Sequence, residues 1–418
     1  MSKYSVSSLH GKLHVKHGFP FKSEYFSDAG HYIVLTPGNF YEEGGFKRQA
    51  GKEKFYLGEI PKDYLHRKGD LIVAMTEQAA GLLGSCAVVP DNDIYLHNQR
   101  LGLISTDQEQ LDRSFVYYLF QTKSVREQIR LTSTGSKVKH TSPERIYAVT
   151  TPLPKVEDQQ KIAAVLSALD AKIDCNNRIN AELEAMAKTL YDYWFVQFDF
   201  PDANGKPYKS SGGKMVYNAT LKREIPEGWL HSTIGETFRT HLGGTPSRGN
   251  DKYWKPGEVN WLSSGENPST FVVAPDETIS TLGLQNSPAK LLPQGTVILS
   301  IVRHLRASIL GIQAATNQSV VGIVETEKFK HCFIYPYLVR EIPRLMALRT
   351  GAQQPHINKG VLDESLLVIP DDTTLSAYNT KAAPLFLQIQ NSLRQSMELT
   401  QLRDWLLPML MNGQITVA

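Results

Sequence analysis

Cysteine is scarce in this chain. The 418 residues include three cysteines, Cys86, Cys175 and Cys332, which lie far apart and lack the short spacing of metal-binding cysteines. An odd number of isolated cysteines is typical of free thiols in a reducing compartment. The sequence therefore predicts neither a disulfide nor a zinc site.

Long apolar runs and a strong charge of one sign are also absent. The N-terminal segment lacks the apolar core of a signal peptide, and no stretch of about 18 apolar residues occurs, so we expect a soluble, cytoplasmic protein. With 45 Lys and Arg against 42 Asp and Glu, the net charge of +3 neither requires nor excludes nucleic acid, because a basic face can exist in a balanced total. The length and a hydrophobic content of 41% indicate two or three globular domains.

The most regular pattern lies at residues 156–195. Apolar and small residues recur there at steps of three and four, apart from one polar gap, as expected of one face of a long helix. They are Ile162, Leu166, Leu169, Ile173, Leu183, Ala187, Leu190 and Trp194. A helix of about 40 residues is about 60 Å long, so its apolar stripe needs a partner of similar length.

The same pattern returns 216 residues later, between Leu375 and Leu407. We therefore predict that the two helices pair as a coiled coil through Leu169, Ile173, Leu183 and Leu190 of the first helix and Leu385, Ile389, Leu399 and Leu406 of the second. Pro384 lies inside the second pattern, where it should kink the helix or mark its start.

Polar residues interrupt both stripes at matching positions. Asn176 and Asn180 in the first stripe correspond to Ser392 and Ser396 in the second. Buried polar residues can fix the register of a coiled coil, but a break that faces solvent would give the same pattern. The sequence does not decide between these two interpretations.

Residues 10–153 have the pattern of a mixed domain of short strands and loops. Residues 70–75 and 87–89 favour strands, and residues 113–131 favour a helix. Its loops carry cationic and amide side chains, the types that contact phosphates and base edges, although each cluster alone also suits an ordinary solvated surface. The candidates are Lys47, Arg48, Asn98, Gln99, Lys137, Lys139 and His140.

Features of this domain recur after the first helix. The segment KGDLIVAM is repeated as QGTVILSI at an offset of 226, Asn98 and Gln99 recur at an offset of 219, and His140 recurs as His356 at an offset of 216. Loops of different length early in a repeated domain would produce such a decreasing offset. We predict a tandem duplication: domain, helix, domain, helix. The second set of candidates is Arg303, Arg306, Asn317, Gln318, Gln353, Gln354, His356 and Lys359.

Residues 198–229 separate the two halves. They are rich in Gly, Pro, Ser and Lys, and they are predicted to form an exposed connection. The Ser-Gly-Gly-Lys run at 211–214 is not a phosphate-binding loop, because it lacks both the first glycine and the hydroxyl residue after lysine.

These stretches resemble the specificity (S) subunits of type I restriction-modification systems, the HsdS family. The likeness covers essentially the whole chain, and it is most specific in LPKVEDQQKIAAVLSALDAKIDCNNRINAELEAMAKTLYDYWF, GGTPSRGNDKYW and EIPEGW. It implies an α+β fold with two mixed α/β target recognition domains, joined by two long antiparallel helices that form a coiled coil with an internal pseudo-twofold. The expected bounds are 1–153 for the first recognition domain, 154–198 for the central helix, 199–371 for the linker and second recognition domain, and 372–418 for the C-terminal helix.

The resemblance also implies a function. In that family each recognition domain binds one half of a split DNA target, and the helices set the unread gap and dock two methyltransferase subunits. The complex then recruits motor-nuclease subunits and directs adenine methylation or restriction. The chain itself would be non-catalytic and bind no cofactor, whereas its partners would use S-adenosylmethionine, ATP and Mg. The fifteen candidates above should then lie on DNA-facing loops. Because most loop residues differ between the two domains, the two half-sites should differ.

The alternative is a self-contained enzyme, either an adenine methyltransferase or a nuclease with its own recognition domain. A methyltransferase needs an Asn/Asp-Pro-Pro-aromatic tetrapeptide, but Asn267-Pro268 is followed by Ser269. The best nuclease candidate combines loosely spaced residues of a kind that arises by chance in most chains of this length: Pro275, Asp276, Glu325, Glu327 and Lys328. A pure coiled-coil scaffold would explain the helices but not the duplicated domains.

If the helices act as a ruler, their length sets the gap in the DNA target. Inserting four residues into the first helix lengthens it by about 6 Å, close to two base pairs at about 3.4 Å each. We expect the methylated sequence to keep both half-sites and gain a longer gap, as mapped by sequencing methylated DNA. A changed half-site would contradict the ruler interpretation.

Overall fold

The computed structural model describes residues 4–77, 81–265, 269–275, 277–351 and 353–417. Its contacts divide the chain into two compact units. Unit 1 comprises Met1–Lys172 and Leu399–Ala418, and unit 2 comprises Ile173–Glu398. Each unit therefore contains one mixed domain and parts of two long helices.

Unit 1 combines short strands with three short helices and the first part of a long one. Its strands are β1 (Val6–Ser8), β2 (Leu13–His17), β3 (Phe26–Ser27), β4 (Tyr32–Leu35), β5 (Phe55–Tyr56), β6 (Leu71–Ala74), β7 (Thr76–Glu77), β8 (Cys86–Val88), β9 (Tyr95–His97), β10 (Leu101–Thr106), β11 (Lys139–His140) and β12 (Thr150–Pro152). Its helices are α1 (Arg113–Leu119), α2 (Lys123–Leu131), α3 (Pro143–Tyr147) and the start of α4 (Val156–Tyr191). The sheets have the orders β2-β10-β6-β8, β3-β5-β4-β9, β1-β12 and β11-β7.

Strand β6 lies at the centre of unit 1. All four of its residues are buried, as expected of a short apolar run covered on both faces. One face packs against a cluster that contains Phe115 of α1 and Ile162 and Leu166 of α4. The same cluster contains Leu407, so the long helices pack inside this unit.

Unit 2 is likewise built from short strands, short helices and parts of the long helices. Its strands are β13 (Met215–Asn218), β14 (Arg223–Pro226), β15 (Leu230–Thr233), β16 (Arg239–Leu242), β17 (Val259–Leu262), β18 (Phe271–Val272), β19 (Glu277–Ile279), β20 (Val297–Ser300), β21 (Arg306–Leu310), β22 (Ala315–Thr316), β23 (Val320–Val324) and β24 (Leu366–Ile369). Its helices are α5 (Ile234–Thr237), α6 (Thr281–Gln285), α7 (His331–Ala347), α8 (Lys359–Asp363) and most of α9 (Asp372–Met411).

The strand order supports the predicted duplication. The main sheet of unit 2 has the order β16-β23-β20-β21-β18, in which the first four strands occupy the places of β2, β10, β6 and β8 in unit 1. The parallel pair β4-β9 likewise has its equivalent in the parallel pair β17-β22. The two units are therefore two copies of one sheet plan.

The long helices form a buried seam within unit 2. Ala187 and Tyr191 of α4 share one apolar cluster with Tyr378, Phe386 and Ile389 of α9. The predicted pairing residues Leu183, Leu190 and Leu385 are partly buried against this cluster. The largest contacts are thus made by aromatic residues beside the predicted leucines, because the buried face of each helix is wider than a single row of residues.

The polar interruption of the seam is buried. Asn176 is 2% exposed and donates through Nδ2 to Gln395 Oε1 at 2.9 Å and to Ser396 Oγ at 3.3 Å. Asn180 and Ser392 are buried as well. Of the two interpretations left open by the sequence, the structure supports polar residues inside the seam.

In unit 1 the two helices are joined by a charged pair. Asp170 of α4 accepts from Arg403 Nη1 of α9 at 2.9 Å and from the Tyr118 hydroxyl at 2.7 Å. Leu406 is partly buried against the core of this unit. Leu169 and Leu399, like Ile173 in unit 2, keep part of their surface exposed.

Three expectations about local structure were wrong in part. Residues 113–131 are helical as predicted, but they form two helices, α1 and α2, separated by Phe120–Thr122. Helix α9 begins at Asp372 and continues through Pro384, so this proline does not mark its start. Helix α4, in contrast, has the predicted extent and continues into a π-helical turn, Asp192–Val196.

The third expectation concerns residues 198–229. Residues 201–224 are exposed or partly exposed, as predicted of a connection, but the aromatic residues at the two ends of the segment are packed inside unit 2. Phe198, Phe200 and Trp229 are 2%, 6% and 5% exposed, and the rings of Phe200 and Trp229 stack with centroids 5.0 Å apart. The Trp229 indole N–H donates to Asp371 Oδ2 at 3.1 Å.

The seam of unit 2 allows a matched stability test. Phe386 is 1% exposed, whereas its neighbour Leu387 is 57% exposed. Phe386→Ala should lower the free energy of unfolding by about 3–5 kcal/mol, because it removes a buried aromatic ring and leaves a cavity. Leu387→Ala should change it by less than about 0.5 kcal/mol. Urea unfolding of the two variants would measure this, and equal effects would show that the helix face is assigned wrongly.

Candidate nucleic-acid interface

In unit 1, one residue joins two of the candidate loops. Met75, directly after β6, donates its N–H to the carbonyl of Arg100 at 2.9 Å, and its own carbonyl accepts from Thr141 N–H at 3.0 Å. Arg100 ends the turn at residues 98–100, and Thr141 follows the candidates in β11. The end of β6 therefore holds the turn and the hairpin loop at one edge of the domain.

Unit 2 repeats this arrangement at Ile301, directly after β20. Ile301 donates to the carbonyl of Ser319 at 2.9 Å and accepts from Ile357 N–H at 3.0 Å. The turn at 317–319 and the loop at 350–356 are thus held beside each other. We call these two equivalent regions the β6 edge and the β20 edge.

The hairpin loops are closed in the same way in both edges. Thr134 and His140 exchange two backbone hydrogen bonds of 3.0 and 2.8 Å, and Thr350 and His356 exchange two of 2.9 Å. The glycine after each threonine has φ of +98° or +95°, a region that side chains disfavour. The two loops therefore share their closing contacts, while the side chains carried between these positions differ.

The two Asn-Gln turns also match. Asn98 Oδ1 accepts from the N–H of Arg100 at 3.0 Å, and Asn317 Oδ1 accepts from the N–H of Ser319 at 3.0 Å. Both asparagines thus shape their own turns. The following residues, Gln99 and Gln318, are exposed.

Two glycines that support these turns were not predicted from the sequence. A Cβ at Gly18 would lie 1.9 Å from the Asn98 carbonyl oxygen, and one at Gly243 would lie 2.2 Å from the Asn317 carbonyl oxygen. Only glycine allows the segments that follow β2 and β16 to approach so closely. Their offset of 225 continues the repeat series, so the signal was present in the sequence.

Arg303 lies at the β20 edge in a constrained backbone conformation. Its N–H donates to the Pro355 carbonyl at 2.7 Å, and its carbonyl accepts from Arg349 Nη1 at 2.6 Å. Its φ of +61° is unusual for a residue with a side chain. These contacts fix the backbone of Arg303, so its exposed guanidinium extends from a defined position.

The remaining candidates of the two edges vary in exposure. Lys137, His140, Arg306, Gln353, Gln354 and His356 are exposed, and Lys139 is partly buried in β11. Lys359, at the start of α8, forms an ion pair with Asp363 of the same helix. Its charge is therefore largely neutralised.

Arg48 lies elsewhere in unit 1. Arg48 Nη2 binds Asp91 Oδ2 at 2.7 Å, and Asp91 lies two residues after Val89, whose N–H donates to the carbonyl of Asp70. Asp70 precedes β6, at the end opposite Met75. The structure therefore does not bring Arg48 to the β6 edge. Lys47 Nζ lies 5.6 Å from the centroid of the Tyr41 ring.

One further cation in unit 2 is firmly positioned. Arg248 binds both carboxylate oxygens of Glu277, at 2.5 and 3.1 Å, and its guanidinium carbon lies 3.7 Å from the centroid of the Trp254 ring. Such an arginine is held in one orientation. The sequence pattern gave no reason to single it out.

The catalytic alternatives find little support in the described residues. Glu325 is bound to His331 Nδ1 at 2.5 Å, and Lys328 is bound to Asp372. Asn267, Pro268 and Asp276 lie outside the described residues. Within the described ranges, no three His, Cys, Asp or Glu residues form a group that could hold a metal ion, and no helix is both long and apolar enough to cross a membrane.

Comparison with known families decides between the interpretations. The family model described as the type I restriction modification DNA specificity domain matches residues 1–185 and 226–374, more than half of the chain. The chain belongs to this DNA specificity family. The predicted family is thereby confirmed, and the first matched range contains the β6 edge, whereas the second contains the β20 edge.

Individual members of the specificity family agree with this assignment. The chain is 28% identical to the type I restriction enzyme MjaIX specificity subunit of Methanocaldococcus jannaschii, over 72% of this chain and 69% of that protein. It is 20% identical to the HindI specificity subunit of Haemophilus influenzae, over 84% and 87%. The crystal structure of an S subunit from M. genitalium shares the fold, with a TM-score of 0.61 at 14% identity over 98% of this chain and 96% of that one.

In this member of the specificity family, a buried histidine lies directly beside the β6 edge. His97, directly before the Asn98 turn, is 0% exposed, and burial together with nearby His66 lowers its pKa to about 3. A histidine in an unfolded chain has a pKa of about 6.5. The imidazole of His97 therefore takes up a proton in the folded state only at a much lower pH. The contribution of neutral His97 to the free energy of unfolding is fully present above about pH 6.5 and is lost as the pH falls towards 3.

The pH dependence of unfolding tests this role. His97→Phe should remove about 2 kcal/mol of the stability loss that occurs between about pH 7 and pH 5, as measured by urea unfolding. His31→Phe, which changes an exposed histidine of the same unit, should leave the loss unchanged. An undiminished loss in His97→Phe would show that this histidine titrates normally.

Proposed function

We propose that this chain is the DNA specificity subunit of a type I restriction-modification complex. Its two recognition domains would each bind one half of a bipartite, asymmetric DNA target, the first through the β6 edge and the second through the β20 edge. The paired helices would set the spacer and dock the methyltransferase subunits. The complex would then direct adenine methylation or restriction.

The observation that carries the proposal is the repeated edge inside a chain of the specificity family. The same hydrogen bonds place a turn and a hairpin loop at Met75 and at Ile301. The side chains on these loops differ: Lys137, Lys139 and His140 in one, Gln353 and Gln354 in the other. Loops that are anchored alike but carry different donors and acceptors are suited to binding two different base sequences.

Partners follow from the same family. Relatives of this chain are named specificity subunits of type I restriction enzymes. We infer that double-stranded DNA, two methyltransferase subunits and motor-nuclease subunits assemble on this chain. The partners would bind S-adenosylmethionine, ATP and Mg, and they would flip and methylate the target adenine, while this chain holds the duplex.

The rival function, a self-contained methyltransferase or nuclease, is less well supported. It would require the family match to coincide with a catalytic site, and the best nuclease residues among those described are held in ion pairs with neighbouring side chains. The DNA specificity function explains both the duplication and the match.

Mapping methylated adenine across the host genome tests the function. Deletion of the gene should abolish methylation at one split, asymmetric motif, and the intact gene should restore it. Restoration with Arg303→Ala should relax one half of the motif, and restoration with His140→Ala the other half, since each base contact contributes about 1–3 kcal/mol of discrimination.

A control substitution lies at the opposite end of β6. Lys68→Ala changes an exposed lysine beside Gly69, at the end of the strand away from the edge, and should leave the methylated motif intact. Relaxation of the same half-site by both Arg303→Ala and His140→Ala would contradict the assignment of one half-site to each domain. A methylome unchanged by deletion, with a methyltransferase partner expressed, would contradict the function itself.

A further inference from the structure

A concavity of about 360 Å³ lies in unit 2, apart from the β20 edge. It is formed where the end of α4, strand β14 and helix α7 meet, and its walls include three arginines, Arg223, Arg340 and Arg344. Arg223 falls between the two ranges matched by the specificity family, in the segment whose packing was not foreseen from its composition. This site therefore lies partly on an element outside the matched recognition domains.

Arg223 is the unusual member of the three. It is partly buried, and its guanidinium carbon lies 5.1 Å from the centroid of the Phe198 ring. Among the described residues, no carboxylate pairs with this guanidinium and no acceptor receives a hydrogen bond from it. Burial, with a smaller contribution from nearby Arg340, lowers its pKa. None of its nitrogens is among the buried side-chain atoms that lack a hydrogen-bond partner, so its donors reach solvent and are open to a ligand.

The other charges around the concavity leave one more cation available. Arg344 is already bound to Glu341 at 2.6 Å and to Ser365 Oγ at 2.7 Å. Arg340 is half exposed and makes only a long ion pair, of 3.8 Å, with Asp192. Glu341 and Glu364 also line the site and are acidic groups that an anion would have to tolerate. Arg223 and Arg340 are therefore the pair with unused donors.

We propose that Arg223 and Arg340 bind a phosphate group in this concavity. Each guanidinium presents a planar set of donors that matches the oxygens of a phosphate, and the ring of Phe198 keeps that of Arg223 oriented. The partly exposed Leu221 and Leu366 line the same site, so they can contact a small body attached to the phosphate. The volume suits a small phosphate monoester. The site does not depend on the proposed DNA specificity, and it can fail independently.

Binding measurements on the full chain test the site. Inorganic phosphate and adenosine monophosphate would be titrated by calorimetry at constant ionic strength, with chloride as the compensating anion. Wild type should bind both. Arg223→Gln and Arg340→Gln should each raise Kd about tenfold, as expected for loss of a hydrogen-bonded charge. Lys209→Gln, an exposed cation of the same segment, should leave Kd within about twofold.

A competition experiment then distinguishes a phosphate of the DNA backbone from that of a free phosphate compound. If inorganic phosphate competes with a short duplex of unrelated sequence, and Arg223→Gln weakens both ligands alike, the site binds the DNA backbone. If duplex binding is unchanged while monophosphate binding is lost, the site serves a free phosphate compound. Both results support the proposal.

Three results would overturn the proposal. They are no phosphate binding by wild type, an equal response to phosphate and chloride, and binding that survives both arginine substitutions. Circular dichroism of each variant would confirm that the fold is intact, so that loss of binding is not loss of structure.

Discussion

The β6 edge and the β20 edge each depend on one backbone residue. Met75 and Ile301 each use both their N–H and their carbonyl to hold a turn on one side and a hairpin loop on the other. Since these bonds involve no side chains, the loops can change their sequences without losing these contacts. Such loops suit a protein whose task is to distinguish DNA sequences.

The long helices carry a different constraint, namely that each belongs to both units. In unit 2 the buried amide of Asn176 binds partners on α9, and in unit 1 Asp170 joins Tyr118 and Arg403. A shift of either helix by a few residues would separate these polar groups from their partners and leave them buried and unpaired. Apolar contacts stabilise the pairing, and the polar contacts specify its register.

Much of this architecture could be predicted from the sequence. The helix period, the duplication and the family were visible, because each depends on patterns repeated over long stretches. What could not be predicted depended on contacts distant in sequence. The packing of Phe200 on Trp229 places the two ends of the predicted exposed connection in a core, and the ion pair of Arg48 with Asp91 places a promising cation away from the edge. The repeat offset could have identified Gly18 and Gly243 in the sequence. Their role, however, depends on carbonyl groups that only the fold brings near them.

The membership of residues from α9 in unit 1 has a consequence for how the protein is made. Ile162 and Leu166 are synthesised early, whereas Leu407 and Leu410, which share their cluster, emerge more than two hundred residues later. At translation rates of about 5–20 residues per second, the first domain waits on the order of 10 to 50 s with an uncovered apolar stripe. A nascent chain in this interval is a substrate for chaperones, and a prematurely terminated one never completes its first domain. Completion of the first recognition domain is thereby tied to translation of the chain as far as Leu410.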